Sequence, residues 1–197
     1  METKPDYDHL YEIAEAQAGY FTASQAHTVG FSSERLSANV KSHRFVRVTQ
    51  GVYRLYHFPG SPYEDMFVAW LRAGPSSVIS HESALAVYEL SDILPNEVHI
   101  IVQRNASRRR KGIRQHTLRL QADEITRRQG LPITTVERTL TDLIAKGTAE
   151  EQIRLAIREA LQRGLTDREK LLHQAKRAGG KVGNTLQRVL GGQHEIR

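Results

Sequence analysis

The chain contains no cysteine, which excludes disulfides, thiolate metal sites and a cysteine nucleophile, and which suits a reducing compartment. It has no apolar run approaching the roughly 18 to 20 residues of a membrane span, so it is read as a protein that does not cross a bilayer. The opening "METKPDYDHLYEIAEA" is acidic and lacks the basic start and apolar stretch of a secretory signal, so the expected location is cytoplasmic. P-loop, GxGxxG and GxSxG signatures are missing, so no enzyme is expected and no cofactor. Nine histidines are present, but no HExxH-type spacing puts two on one helical face; they are read as isolated surface or packing residues, with no metal.

What the chain does have is charge of one sign, unevenly spread. The net charge is +6 and the pI about 9.7, which favours a polyanionic partner. Residues 1–30 carry one lysine against five acidic residues, whereas residues 31–58 carry four arginines and one lysine against one glutamate. A basic island therefore follows an acidic helix.

That island, "SERLSANVKSHRFVRVTQGVYRL", changes hydrophobic period halfway. Leu36 and Val40 stand four apart, on one helical face; Phe45 to Val48 and Val52 to Leu55 then alternate around Gln50-Gly51, as a hairpin does. Upstream, the spacing predicts a helix from Tyr7 to Ala18 stopped by Gly19, a short extended piece at Tyr20 and Phe21, a helix capped by Thr22 with Gln25, a turn at Gly30 and a helix capped by Ser32. This order is a winged helix-turn-helix, over residues 5–58.

"HFPGSPYEDMFVAW" supplies linker punctuation at Pro59 to Pro62, where the domain boundary is expected, and then an amphipathic helix through Met66, Phe67, Trp70 and Leu71. A helix should open near Ser80, strands should cover "EVHIIVQ" and "IRQHTLRL", and a helix capped by Thr134 with Glu137 should follow. Thr148 with Glu151 and Thr166 with Glu169 mark two further helix starts, with stops at Gly164 and Gly179-Gly180. The expected fold class is α+β: a winged helix-turn-helix followed by a larger mixed α/β domain over residues 62–192 with a C-terminal helical segment.

In a winged helix-turn-helix the second helix of the motif enters the major groove and the hairpin lays its tip on the backbone or in the minor groove. Ser33, Arg35, Ser37, Ala38 and Asn39 are the candidate base readers, Arg35 suiting guanine and Asn39 adenine. Lys41, His43, Arg44, Arg47, Thr49 and Gln50 are placed for phosphates. The competing reading is a protein-interaction module or direct toxin-binding partner, a winged helix that contacts protein, in which the same basic helix and hairpin are a solvated face.

"GYFTASQAHTVGFSSERLSANVKSHRFVRVTQGVYRL" resembles the N-terminal domain of the AbiEi antitoxins of type IV toxin-antitoxin systems. "VISHESALAVYELSDILPNEVHIIV" and "GLPITTVERTLTDLI" are similar to the C-terminal half of that family. The resemblance implies a bacterial autorepressor that binds inverted repeats of double-stranded DNA in its own promoter. It also implies a C-terminal domain that counteracts a nucleotidyltransferase-like toxin without a stable complex.

Three motifs of the larger domain have two readings each. "RNASRRRKGIR" gathers Arg104, Arg108, Arg109, Arg110, Lys111 and Arg114, either as a second polyanion contact or as a charged hairpin tip. "SHES" invites a catalytic reading of Ser80 and His81, but neighbours in sequence rarely converge as nucleophile and base, so Ser80 is read as a helix cap with Glu82 near the helix start. Glu82, Asp92 and Glu97 could serve a metal-dependent nuclease, a weaker alternative because converging carboxylates and a nearby lysine are not evident.

Overall fold

The computed structural model describes residues 4–90, 95–102 and 111–191. The chain forms two compact units, residues 1–77 with 129–131, and residues 78–128 with 132–197.

In the first unit, helix α1 (Tyr7–Glu15) opens where the Asp6 side chain accepts from the His9 amide, and it buries Leu10 and Ala14, one turn apart. It ends earlier than the apolar spacing suggested, because Ala18 and Gly19 both take positive φ. At Gly19 a Cβ would stand 2.5 Å from the Phe58 ring, so only glycine fits. Strand β1 (Tyr20–Thr22) leads into α2 (Ala23–Thr28), whose capping box is complete: Thr22 accepts from the Gln25 amide and Gln25 accepts from the Thr22 amide. The turn passes through Gly30, where a Cβ would meet the Lys4 carbonyl at 2.9 Å, and α3 (Ser33–Lys41) starts on the Ser32 cap.

Strands β2 (Phe45–Thr49) and β3 (Val52–Leu55) form an antiparallel hairpin, and β1 joins β3, giving the sheet order β1-β3-β2. Leu10, Ala14, Phe21, Phe31, Leu36 and Phe45 meet between the helices and this sheet, with Phe21 edge-on to Phe45 at 5.0 Å. The arrangement is a winged helix-turn-helix. Helix α4 (Glu64–Ala73) belongs to the same unit: Phe67 stacks on Tyr20 at 5.2 Å, and the Tyr20 hydroxyl donates to Glu64 at 2.7 Å. The Pro59 to Pro62 stretch, read as a domain linker, thus lies inside a unit that runs to Ser77. The aromatic pair explains why, since Tyr20 is completely buried and Phe67 is part of what covers it.

The second unit is mixed α/β. Its strands are β4 (Val78–Ile79), β5 (Val98–Val102), β6 (Ile113–Thr117), β7 (Ile125–Arg128) and β8 (Leu131–Thr134), in the order β6-β5-β4-β8-β7. Helix α5 (His81–Val87) follows β4. Helices α6 (Val136–Lys146), α7 (Glu150–Gln162), α8 (Arg168–Ala178) and α9 (Gly180–Gly191) end the described chain. Leu140 and Leu143 of α6 are fully buried, and α6 packs against α5, α7, α8 and α9.

Two local readings change here. Strands β5 and β6 pair in parallel, so they are not the two arms of one hairpin, as the hairpin-tip reading required. The helix starts also sit one residue later than the Thr-x-x-Glu pattern suggested. The cap of α6 is Thr135, while Thr134 ends β8 and bonds Thr139; the cap of α8 is Asp167, and α7 begins after Ala149 without a side-chain cap. Thr166 instead donates to Glu137, the residue expected to complete the α6 box. Gly180 opens α9 instead of only stopping α8, and at Gly183 a Cβ would lie 2.2 Å from the Ala175 carbonyl oxygen, so α8 and α9 meet backbone to backbone. Among the described residues, no helix is long and apolar enough to cross a membrane.

Candidate nucleic-acid interface

Helix α3 turns Leu36 and Asn39 inward and leaves Ser33, Glu34, Ser37, Ala38 and Lys41 exposed, with Arg35 and Val40 half-buried at the edges. The outward face is therefore small and polar, a shape that lets a helix backbone come close to a groove floor. Glu34 was not among the expected readers, yet it shares this face. Hydrogen bonds from its own amide and from Ser32 keep its carboxyl below the usual range, so it is charged.

Asn39 is a correction. It was expected to read adenine, but it is only 5% exposed; its side chain donates to the Arg35 carbonyl at 2.8 Å and accepts from the Tyr7 hydroxyl at 3.2 Å. The helical stripe facing the core includes position 39 as the i+3 neighbour of Leu36, and Val40 slips to the margin. Its amide thus ties α1 to α3.

Beyond α3, His43, Arg44 and Arg47 are exposed, whereas Arg54 is half-buried and donates to the Phe58 carbonyl. His43, in positive φ, and Arg44 are exposed at the turn into the wing; the Arg44 guanidinium lies 5.7 Å from the Tyr7 ring centre, while His43 sits beside Tyr56. Arg47 is exposed on β2, and a register shift between Arg47 and Thr49 bends the strand just before the tip, where Gln50 is exposed and Thr49 half-buried. Gly51 makes the tip turn with φ of 76°. The fold thus brings Lys41, Arg44 and Arg47 to the α3–wing segment, and the His27 ring bonds the Phe31 carbonyl at 2.6 Å across the turn that sets α3.

Residues 8–56 match the family described as "Transcriptional regulator, AbiEi antitoxin". This stretch of the first unit is similar to that family. The match runs from α1 through β3, the elements that build the helix-turn-helix and its wing. No curated protein matches the chain.

The second unit's expected sites fare differently. Arg104, Arg108, Arg109 and Arg110 lie outside the described residues, as does Asp92. Lys111 and Arg114 are exposed, and Arg114 stands 3.9 Å from Glu97. Glu82, one of the carboxylates of the nuclease reading, is held by Lys146, and its other oxygen lies 3.0 Å from His99 Nδ1. Ser80 does occupy the cap position of α5, but its hydroxyl turns to the His81 ring at 2.9 Å instead of capping the helix.

The histidines give the larger surprise. His81, His99 and His116 come from α5, β5 and β6, and their ligand nitrogens all lie within 4.8 Å of one another. His81 and His99 are buried and His116 half-buried. Burial pushes His81 down to about 3 and His99 to about 4, and lowers His116, so the three rings are neutral at neutral pH. The sequence offered no signal for this, because the positions are far apart and only the β5–β6 register, with His116 opposite Ile101, puts His99 and His116 on one face.

A second buried constellation lies at the start of α6. Arg138 donates through Nε to Asp142 at 2.9 Å and through Nη1 to Glu124 at 2.8 Å, and Gln174 donates to the other Glu124 oxygen at 3.3 Å. Burial lifts Asp142 to about 6 in spite of Arg138, and its Oδ2 has no hydrogen-bond partner. This cluster organises the helices around α6.

Proposed function

We propose that this protein is a bacterial, cytoplasmic transcriptional repressor that binds inverted repeats in its own promoter through α3 and the β2–β3 wing. The observation that carries the reading is the exposed face of α3, Ser33, Ser37, Ala38 and Lys41, continuous in sequence with exposed His43, Arg44 and Arg47 inside an AbiEi-type domain. Ser33, Ser37, Ala38 and Arg35 meet base edges, with Glu34 able to accept from a cytosine amino group. Lys41, Arg44 and Arg47 meet phosphates, and His43, Thr49 and Gln50 flank them. Three charged phosphate contacts give a slope of about −2.7 in log affinity against log salt per module, and about −5.4 for a pair on an inverted repeat. One module alone binds modestly, which is why two copies are needed.

The second unit is proposed to counteract a nucleotidyltransferase-like toxin without a lasting complex. Its support is the similarity of "VISHESALAVYEL" and "GLPITTVERTLTDLI" to the C-terminal half of AbiEi antitoxins.

Fluorescence anisotropy on the promoter duplex and on a scrambled duplex, across a salt series, tests the repressor. Promoter preference that weakens steeply with salt supports it. Equal, weak binding to both duplexes, or none, transfers the α3–wing face to a protein partner. Co-expression with a nucleotidyltransferase-like toxin tests the second unit: restored growth supports the antitoxin role, and continued arrest removes it.

A further inference from the structure

We propose that His81, His99 and His116 form a binding site for a zinc-class transition metal ion in the second unit, with Glu82 as the oxygen donor. The donor set is three imidazoles and one carboxylate, which suits zinc, cobalt or nickel and is poor for calcium or magnesium.

The distances carry the inference. Zinc–nitrogen bonds of about 2.0–2.1 Å in a tetrahedron place neighbouring donors about 3.3 Å apart. His116 Nε2 stands 3.2 Å from His99 Nδ1, and Glu82 Oε2 stands 3.0 Å from that same nitrogen. Those two edges are already at coordination length. The three imidazole donors span at most 4.8 Å, and the remaining adjustment is a turn of the His81 ring out of its stack on His116, so that both lone pairs reach one ion.

The backbone contributes as well. His81 adopts φ of 51°, a conformation that non-glycine residues rarely take, and there its ring stacks on His116 at 3.8 Å between centres. The Ser80 hydroxyl touches His81 Nδ1 at 2.9 Å, so that nitrogen is engaged and Nε2 is the one left to coordinate. Ser83 accepts from the His99 amide at 2.8 Å and anchors β5 against α5. Nitrogen–nitrogen approach without an ion requires one ring to donate to the next; an ion replaces that shared proton with bonds to both lone pairs.

Lys146 opposes the ion. Its ammonium contacts the second oxygen of Glu82 and competes for the same carboxylate. Occupancy would join α5 to the β5–β6 edge and so stabilise the second unit.

The test uses the full chain, stripped with chelator and titrated with cobalt(II) and with zinc alone. One equivalent should bind, cobalt should give the intense visible bands of a tetrahedral site, and zinc should raise the melting temperature. His116→Gln should weaken binding by about 100-fold or more, Lys146→Met should tighten it, and His173→Gln, outside the cluster, should leave it unchanged. If His116→Gln fails to fold, long-range nitrogen–proton spectra of the wild-type rings decide. Zinc-dependent shifts at His99 Nδ1 and His116 Nε2 support the site, and unchanged rings overturn it. Absence of stoichiometric binding, or binding that survives in folded His116→Gln, also overturns it.

Discussion

The two units keep their charges in opposite places. In the first unit the ionic chemistry is outside: Lys41, Arg44 and Arg47 are exposed and the interior is aromatic and aliphatic, with Asn39 as a buried amide. In the second unit the chemistry is inside, where Arg138, Glu124 and Asp142 are nearly sealed from water and three histidines cluster beside Glu82. Exposed charges cost little to keep and act on a partner at a distance set by salt. Buried ones hold only while every partner is present, so they act on the fold itself.

The largest effect that this contrast predicts is on Arg138. Replacing it with alanine leaves Asp142 buried without its counter-charge and Glu124 with only the more distant Arg177, a loss of about 3–5 kcal/mol in urea unfolding of the second unit. An unchanged midpoint would show that the buried charges are not structural.

Asp142 sharpens the same point by pH. Burial raises it from 3.8 to about 6, so between those values the folded chain keeps a proton that the unfolded chain has released. Stability from this group therefore falls as pH rises through that window, by about 3 kcal/mol for Asp142 acting alone. Glu124, held below its ordinary range, runs the other way and weakens the fold as pH drops. Unfolding measured from pH 4 to 7 should show the Asp142 contribution vanish in Asp142→Asn, and an identical profile in both proteins would remove it.

On the exposed side, Arg35→Ala should cost about 1–3 kcal/mol of discrimination between promoter and scrambled DNA. Arg47→Ala should weaken both duplexes equally and reduce the salt slope by about one. Equal losses on both duplexes for both variants would erase the division between base and phosphate contacts.

The smallest effect separates the surface from the scaffold. Asn39→Ala should lower stability by about 1 kcal/mol through its lost bonds to Arg35 and Tyr7 while leaving sequence preference alone. A changed preference without a change in stability would return Asn39 to the reading face.

The helix-turn-helix was legible because its signals are local. The Thr22–Gln25 box, the Ser32 cap, the Gly30 turn and the period change at Phe45 all act within a few residues, and all appear in the fold. The misplaced α6 cap was an error of one residue in a run of two threonines that both offer a hydroxyl. Asn39 was missed because the helical stripe admits either position 39 or 40, and only the Tyr7 hydroxyl across the core decides between them.

By itself the sequence determined the order of elements, the winged helix-turn-helix and the basic island at α3 and the wing, since periodicity, caps and charge are properties of neighbouring residues. Tertiary structure alone decided that α4 packs on Tyr20, that β5 and β6 run parallel and that His81, His99 and His116 meet. Those outcomes depend on strand register and side-chain burial between segments far apart in the chain, where no local spacing carries the information.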